Sequence, residues 1–206
     1  MRTETVGVTE TLIESAKKEF LEHGFQNANL RRISSESGVS TGSIYTRCGD
    51  KAGLFSAVVK PAADGLMELY LESITAARES GDPAEATSQG NEGTELVLKY
   101  IYENFDVFKL IFCHSAGTEY ERYFDELAEI EEKYYREFVK QFSRRENMVS
   151  DFFIHVICRT GWSYIYEVVS HDLSYDEAQI FMKSIREFCF AGWGKVLGQN
   201  YEDLGL

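Results

Sequence analysis

Cys113 and His114 are neighbours in the stretch FCHS, Phe112 to Ser115, and so place a nucleophile beside a base. Adjacent residues in a helix project about 100° apart, so this pair makes no catalytic couple by itself. His155 and Cys158 are separated by three positions and share a helical face, a spacing that suits a metal. The sequence supplies no identifiable third ligand. All four cysteines (Cys48, Cys113, Cys158, Cys189) lie far apart without a Cys-x-x-Cys, which argues against a zinc knuckle and a disulfide framework. The expectation is a chain that is not an enzyme, with neither metal nor cofactor.

Hydrogen-bonding groups are denser in ESGVSTGSIYTRCGDKAGLF, Glu36 to Phe55. Ser40, Thr41, Ser43, Tyr45, Thr46 and Arg47 can offer donors and acceptors to base edges or phosphates, and Gly42 permits close approach to a nucleic-acid backbone. Lys51 follows Asp50, a plausible helix cap, where a phosphate could meet the amides of a first turn. Arg31 and Arg32 can face outward just upstream. A plain helical hairpin with a polar surface is the alternative reading of these residues.

The elements that must hold these side chains are short helices. Thr9 is the expected cap of a first helix in which Leu12, Ile13, Ala16 and Phe20 recur at three- and four-residue steps until His23-Gly24. Asn29 caps a second, from Leu30 to about Ser37, and Gly38 ends it in a left-handed conformation. Ser40 caps a third, with Val39 and Ile44 completing a small core. Two short helices joined by such a turn make a helix-turn-helix, whose second helix lies in the major groove.

Thr11 to Val59 resembles the N-terminal DNA-binding domain of the TetR/AcrR family of bacterial transcriptional regulators. The match rests on Phe20, Gly24, Phe25, Ile33, Gly38, Val39, Ser40, Gly42, Ile44, Tyr45, Lys51 and Leu54. The resemblance implies a DNA-binding domain over 1–55 and an effector-binding and dimerisation domain over 56–206. It also implies a homodimer on a pseudo-palindromic operator in double-stranded DNA, and a repressor released by an unknown small-molecule effector. Cys48 stands where the family usually has an aromatic, and Thr46 and Arg47 replace commonly aromatic or histidine positions. Sequence preference should therefore differ, while Tyr45 and Lys51 keep their anchoring role. Cys48 is expected to be a neutral thiol rather than a redox sensor.

Charge is divided along the chain. The net charge is -13, yet residues 1–60 carry eight Lys/Arg against seven Asp/Glu. Nucleic acid must meet that segment, since the remainder is strongly acidic. No run of about 18 apolar residues exists to span a bilayer, and MRTETVGVTE lacks the features of a signal peptide. The expected protein is cytoplasmic, with no membrane partner.

Two prolines and long helix-period stretches predict an all-α fold: a three-helix helix-turn-helix domain followed by a helical bundle. A fourth helix is expected from Lys51 to about Glu79 with a kink or break at Pro61, then a loop over Glu79–Gly93. One helix and a shorter one follow from Thr94, another runs over Thr118–Phe142, and two wide-faced apolar helices span about Met148–Ser170 and Tyr175–Gly198. The last pair suits a two-fold, four-helix interface. Tyr102, Phe105, Phe108, Phe112, Tyr123, Trp162 and Tyr166 are candidate aromatic walls of an effector pocket, with His114, His155 and Arg159 as polar handles. Each aromatic has ordinary core packing as its alternative. A rival reading of the whole chain is an all-α carrier or enzyme that has lost DNA binding, favoured only by the altered YTRC segment.

Overall fold

The computed structural model describes residues 6–79, 83–143 and 149–198. Among the described residues the chain forms nine α-helices and one 3-10 turn, with no strand: α1 Val6–Asn27, α2 Leu30–Ser37, α3 Thr41–Cys48, α4 Lys51–Glu79, α5 Pro83–Glu103, α6 Phe105–Cys113, the turn Glu119–Arg122, α7 Tyr123–Phe142, α8 Asp151–Ser170 and α9 Tyr175–Leu197. The all-α expectation holds. No helix among the described residues is long and apolar enough to cross a membrane.

The helices group into two compact units that interleave in sequence. One comprises the described residues of Met1–Gly65 with Asn104–Tyr123, the other those of Leu66–Glu103 with Phe124–Leu206. Residues 104–123, placed by the sequence in the second domain, thus pack with the first helices. The cause is local: α6 buries Phe108, Leu110 and Ile111, and the Phe25 amide donates to the His114 carbonyl at 3.0 Å. In the same unit Phe55 meets Phe20 edge-on at 5.0 Å and Phe25 at 5.4 Å, closing a core that also buries Leu12, Ala16, Ile33 and Ile44.

Several boundaries differ from expectation. α1 begins at Val6, so Thr9 lies inside it. The helical path does break at Gly24, whose φ of 67° and ψ of 165° only glycine adopts cheaply. α4 runs through Pro61 without interruption, because Val58, Val59, Ala62, Ala63 and Leu66 are buried on either side and offset one missing hydrogen bond.

The expected loop over Glu79–Gly93 is helical from Pro83 onward, while residues 80–82 lie outside the described residues. Pro83 suits the first helical position. Gly93 is small for packing, since a Cβ there would meet the Ser73 Cβ of α4 at 2.8 Å. The Thr118–Phe142 helix opens with the 3-10 turn, capped by Thr118, before α7 begins. The start expected for α8 near Met148 lies outside the described residues; Ser150 caps the helix by accepting from the Phe153 amide at 3.1 Å. α9 begins with a reciprocal capping box between Ser174 and Glu177.

Candidate nucleic-acid interface

Local hydrogen bonds fix the α2–turn–α3 geometry. Asn29 Oδ1 accepts the Arg31 amide at 2.8 Å, starting α2. Gly38, with φ 71° and ψ 4°, ends it in the left-handed region that a side chain would make costly. Val39 then drops into the core, and Ser40 Oγ accepts the Ser43 amide at 3.1 Å to start α3. Ile33 and Ile44, both fully buried, clamp the two helices. Asp50 Oδ1 accepts the Gly53 amide at 2.8 Å and caps α4.

With Ile44 inward, α3 turns its polar side to solvent. Gly42, Tyr45, Thr46 and Arg47 are exposed, as is Ser40; Thr41 and Ser43 are half-buried. Tyr45 is 55% exposed, unusual for an aromatic with a core close by. The Thr46 hydroxyl donates to the Gly42 carbonyl at 2.8 Å, and the Ser40 and Ser43 hydroxyls share a bond of 2.9 Å. Tyr45 and Arg47 remain exposed.

Three basic residues named by the sequence are held differently. Arg31 is exposed in the first turn of α2. Arg32 donates through Nε to both oxygens of buried Glu19 at 2.9 Å, and through Nη2 to Oε1 at 2.5 Å and to the Asn27 carbonyl at 3.2 Å. Lys51 Nζ donates to the carbonyls of Gln26 at 3.0 Å and Ala28 at 3.2 Å and lies 4.7 Å from the Phe25 ring centroid. Arg32 and Lys51 thus tie the α1–α2 connection down. Burial of the half-exposed Cys48 pushes its thiol up, against the opposing charge of Arg47, which favours a neutral thiol.

Sequence reading missed Glu19. Its carboxylate also accepts the Asn29 amide at 2.7 Å. Burial would raise its pKa, but the Arg32 hydrogen bonds, the Asn29 amide and the charges of Arg32 and His23 hold it below the ordinary carboxylate value. The signal was present: Glu19 continues the Leu12–Ala16 stripe at helical spacing, an acid where a core residue belongs.

The expected effector-pocket residues divide between the units. Phe105, Phe108, Phe112, His114 and Tyr123 belong to the first; Tyr102, His155, Arg159, Trp162 and Tyr166 belong to the second. Phe108 is fully buried 5.5 Å from the Phe112 ring, and the Tyr123 hydroxyl donates to the Ala63 carbonyl at 2.7 Å. Burial, with Lys109 nearby, lowers the His114 pKa. In the second unit the Tyr102 hydroxyl donates to the Leu173 carbonyl at 2.9 Å, Arg159 pairs with Asp125, and His155 Nδ1 lies 2.7 Å from Glu132 Oε1. Trp162 and Tyr166 share Phe124, at 6.3 Å and 6.1 Å.

Among the described residues the chain opens with a helix-turn-helix and continues into further helices. A family model described as bacterial regulatory proteins, tetR family, matches residues 12–58. The HTH-type transcriptional repressor AcnR of Corynebacterium glutamicum is 36% identical over 62 residues, 30% of this chain and 33% of that protein. AcnR of Corynebacterium efficiens is 34% identical over 68 residues, 33% and 36% of the two chains. The chain thus spans about a third of the length of the curated repressors it matches.

Whole-chain likeness comes from solved structures. The TetR-family transcriptional regulator PfmR of Thermus thermophilus superimposes with a TM-score of 0.62 at 19% identity, covering 91% of this chain and 97% of that one. The fatty acid degradation regulator FadR of Bacillus halodurans gives 0.60 at 15%, covering 92% and 98%. At such identities the likeness establishes the fold. The family-model match is confined to the helix-turn-helix segment, residues 12–58, and the whole-chain likeness is one of fold.

Proposed function

We propose that this chain is a homodimeric, DNA-binding transcriptional regulator, a repressor released from a pseudo-palindromic operator by a small-molecule effector bound in its second unit. The observation that carries the reading is α3: a helix anchored by one buried residue, Ile44, that turns Tyr45, Thr46 and Arg47 to solvent beside the exposed backbone of Gly42. Such a face has no packing purpose, and its donors suit base edges and phosphates.

Dimerisation is supported by α8 and α9. Phe152, Ile180 and Phe188 are 74%, 70% and 71% exposed, too much apolar surface for helices that end at water. A two-fold pairing would cover them and set two α3 helices about one DNA turn apart. Effector control follows if the ligand prefers a form of the dimer that DNA does not.

The test is selection of duplexes from a random library by the purified protein at fixed salt. A palindrome with half-sites about 34 Å apart is the expected product. No enrichment from folded, dimeric protein overturns the reading.

A further inference from the structure

Glu131 sits on the largely acidic helix α7, yet its Oε2 is closed off from solvent and meets no donor in hydrogen-bond geometry. The Trp162 indole is near enough to favour the anion without making a well-formed bond to that oxygen. The Tyr70 hydroxyl on α4 is in the same condition. Both belong to one aromatic cluster of the second unit. The Tyr70 ring meets Trp162 of α8 edge-on at 5.0 Å, and a Cβ added to Gly161 would lie 3.8 Å from Glu131 Oε2. Tyr135 of α7 stacks on Trp193 of α9 with parallel rings 5.0 Å apart.

The groups that act on the Glu131 carboxyl are burial, which raises its pKa to about 8, and the Trp162 indole, which opposes the rise; no Lys, Arg or His is among them. Arg136, further along α7, is engaged by Glu132 at 3.0 Å. The other titratable neighbours that feel Glu131 are Tyr70 of α4, Tyr134 and Tyr135 of α7, Cys158 of α8 and Cys189 of α9, each pushed upward by burial first and by Glu131 as well. These groups are neutral or anionic when they titrate. The positive charge acting on this set is Arg136, which lowers the Cys158 pKa but is not among the groups acting on Glu131. Its buried Nε lacks a hydrogen bond and lies 3.7 Å from Asp151.

A bundle that needs only packing gains nothing from an uncompensated carboxyl, which an apolar or amide residue would replace at lower cost. We propose that Glu131 and Tyr70 form the polar end of an effector site in the second unit that takes an organic ammonium with an aromatic body, walled by Trp162 and Tyr135. An ammonium brings both what the carboxyl lacks, a positive charge, and N–H donors for the two unpartnered oxygens. Aromatic faces add cation–π attraction. A carboxylate-headed ligand brings neither the positive charge nor the N–H donors, and would keep Glu131 protonated, since ionising it would set like charges together. The proposal rests on the reading of the second unit as effector-binding.

Below pH 8 the incoming ammonium must displace a proton: the Glu131 O–H bond breaks, the carboxylate remains paired with the ligand, and the proton passes to buffer. The experiment is isothermal titration calorimetry of the full chain at pH 7 with tryptamine and with indole-3-propionate, in phosphate and in Tris. Tryptamine is expected to bind about ten-fold or more tighter, with an enthalpy that differs between buffers by the release of nearly one proton. Glu131→Gln should lose both the preference and the proton release while melting no lower than the parent, and Tyr70→Phe should weaken tryptamine alone.

Equal affinity for the two heads, no binding of either, or proton release that persists in Glu131→Gln overturns the site. Retention of the same protein on a selected duplex is measured in parallel. Duplex binding without head preference refutes the ammonium site and leaves the regulator; Glu131-dependent tryptamine binding without duplex binding does the reverse.

Discussion

Arg32 Nε lies 2.9 Å from each carboxylate oxygen of Glu19, and the same carboxylate accepts the amide of Asn29, the residue that caps α2. One buried acid on α1 therefore fixes both the start of α2 and the guanidinium beside it. Because the folded-state pKa of Glu19 is depressed below 4.5, its stabilisation is complete above that value and is lost as pH falls through the folded pKa. Glu19→Gln should cost about 1–3 kcal/mol at neutral pH. The gap to the parent should close under acid, measured as thermal midpoints from pH 7 downward. An unchanged gap in acid would assign the loss to packing.

Arg47 and Lys51 are adjacent to the same candidate surface but have different jobs. Lys51 holds two backbone carbonyls of the α1–α2 connection, at 3.0 and 3.2 Å, while Arg47 is exposed. Arg47→Ala and Tyr45→Ala should leave the thermal midpoint unchanged and weaken duplex binding, the first reducing the salt slope by about one. Lys51→Ala should lower the midpoint as well as the affinity. Titrations at three salt concentrations beside melting curves separate the cases.

Glycines 42 and 53 make a matched pair. A Cβ on Gly53 would sit 1.8 Å from the Cys48 carbonyl oxygen, inside any contact distance, whereas one on Gly42 would find only Ser40 Oγ at 3.9 Å. Gly53→Ala should destabilise by about 1–3 kcal/mol by forcing α3 and α4 apart. Gly42→Ala should be neutral or stabilising by up to about 1 kcal/mol, the ordinary helix effect. Duplex affinity should nonetheless fall in Gly42→Ala, because the added methyl stands on the outward face. Chemical denaturation and binding on both variants test the contrast.

The capping residues were legible because their chemistry is local. Asn29, Gly38, Ser40 and Asp50 each act within three residues of their own position, so type and spacing suffice. The features that sequence reading did not reach act at a distance. Arg32 is exposed, as its position in the sequence suggested, but its pairing with Glu19, thirteen positions back, could not be read from spacing. The Glu79–Gly93 stretch looked like a loop because small polar residues dominate it, and only the approach of Ser73 explains a glycine at 93 within a helix. Glu131 was submerged in an acidic run, and nothing in TEYERYFDELAEIEEKYYREFVKQF distinguishes the one carboxylate that faces Trp162.

The exposed apolar residues of α8 and α9 are where the proposed dimer can be tested against a monomer that merely tolerates a greasy surface. Phe188, 71% exposed in α9, and Ile180, 70% exposed in the same helix, are eight positions apart and so lie on one stripe. If that stripe is the two-fold contact, placing a charge in it sets like charges together across the axis and removes the apolar area that holds the pair. Phe188→Glu should convert the protein to a monomer by sedimentation at micromolar concentration, with an unchanged or slightly raised thermal midpoint, since the lost side chain has little packing within the subunit. Duplex binding should fall far more than for any single α3 variant, because each monomer reads only one half-site and loses the avidity of its partner. A variant that stays dimeric with full palindrome affinity would move the interface off this face.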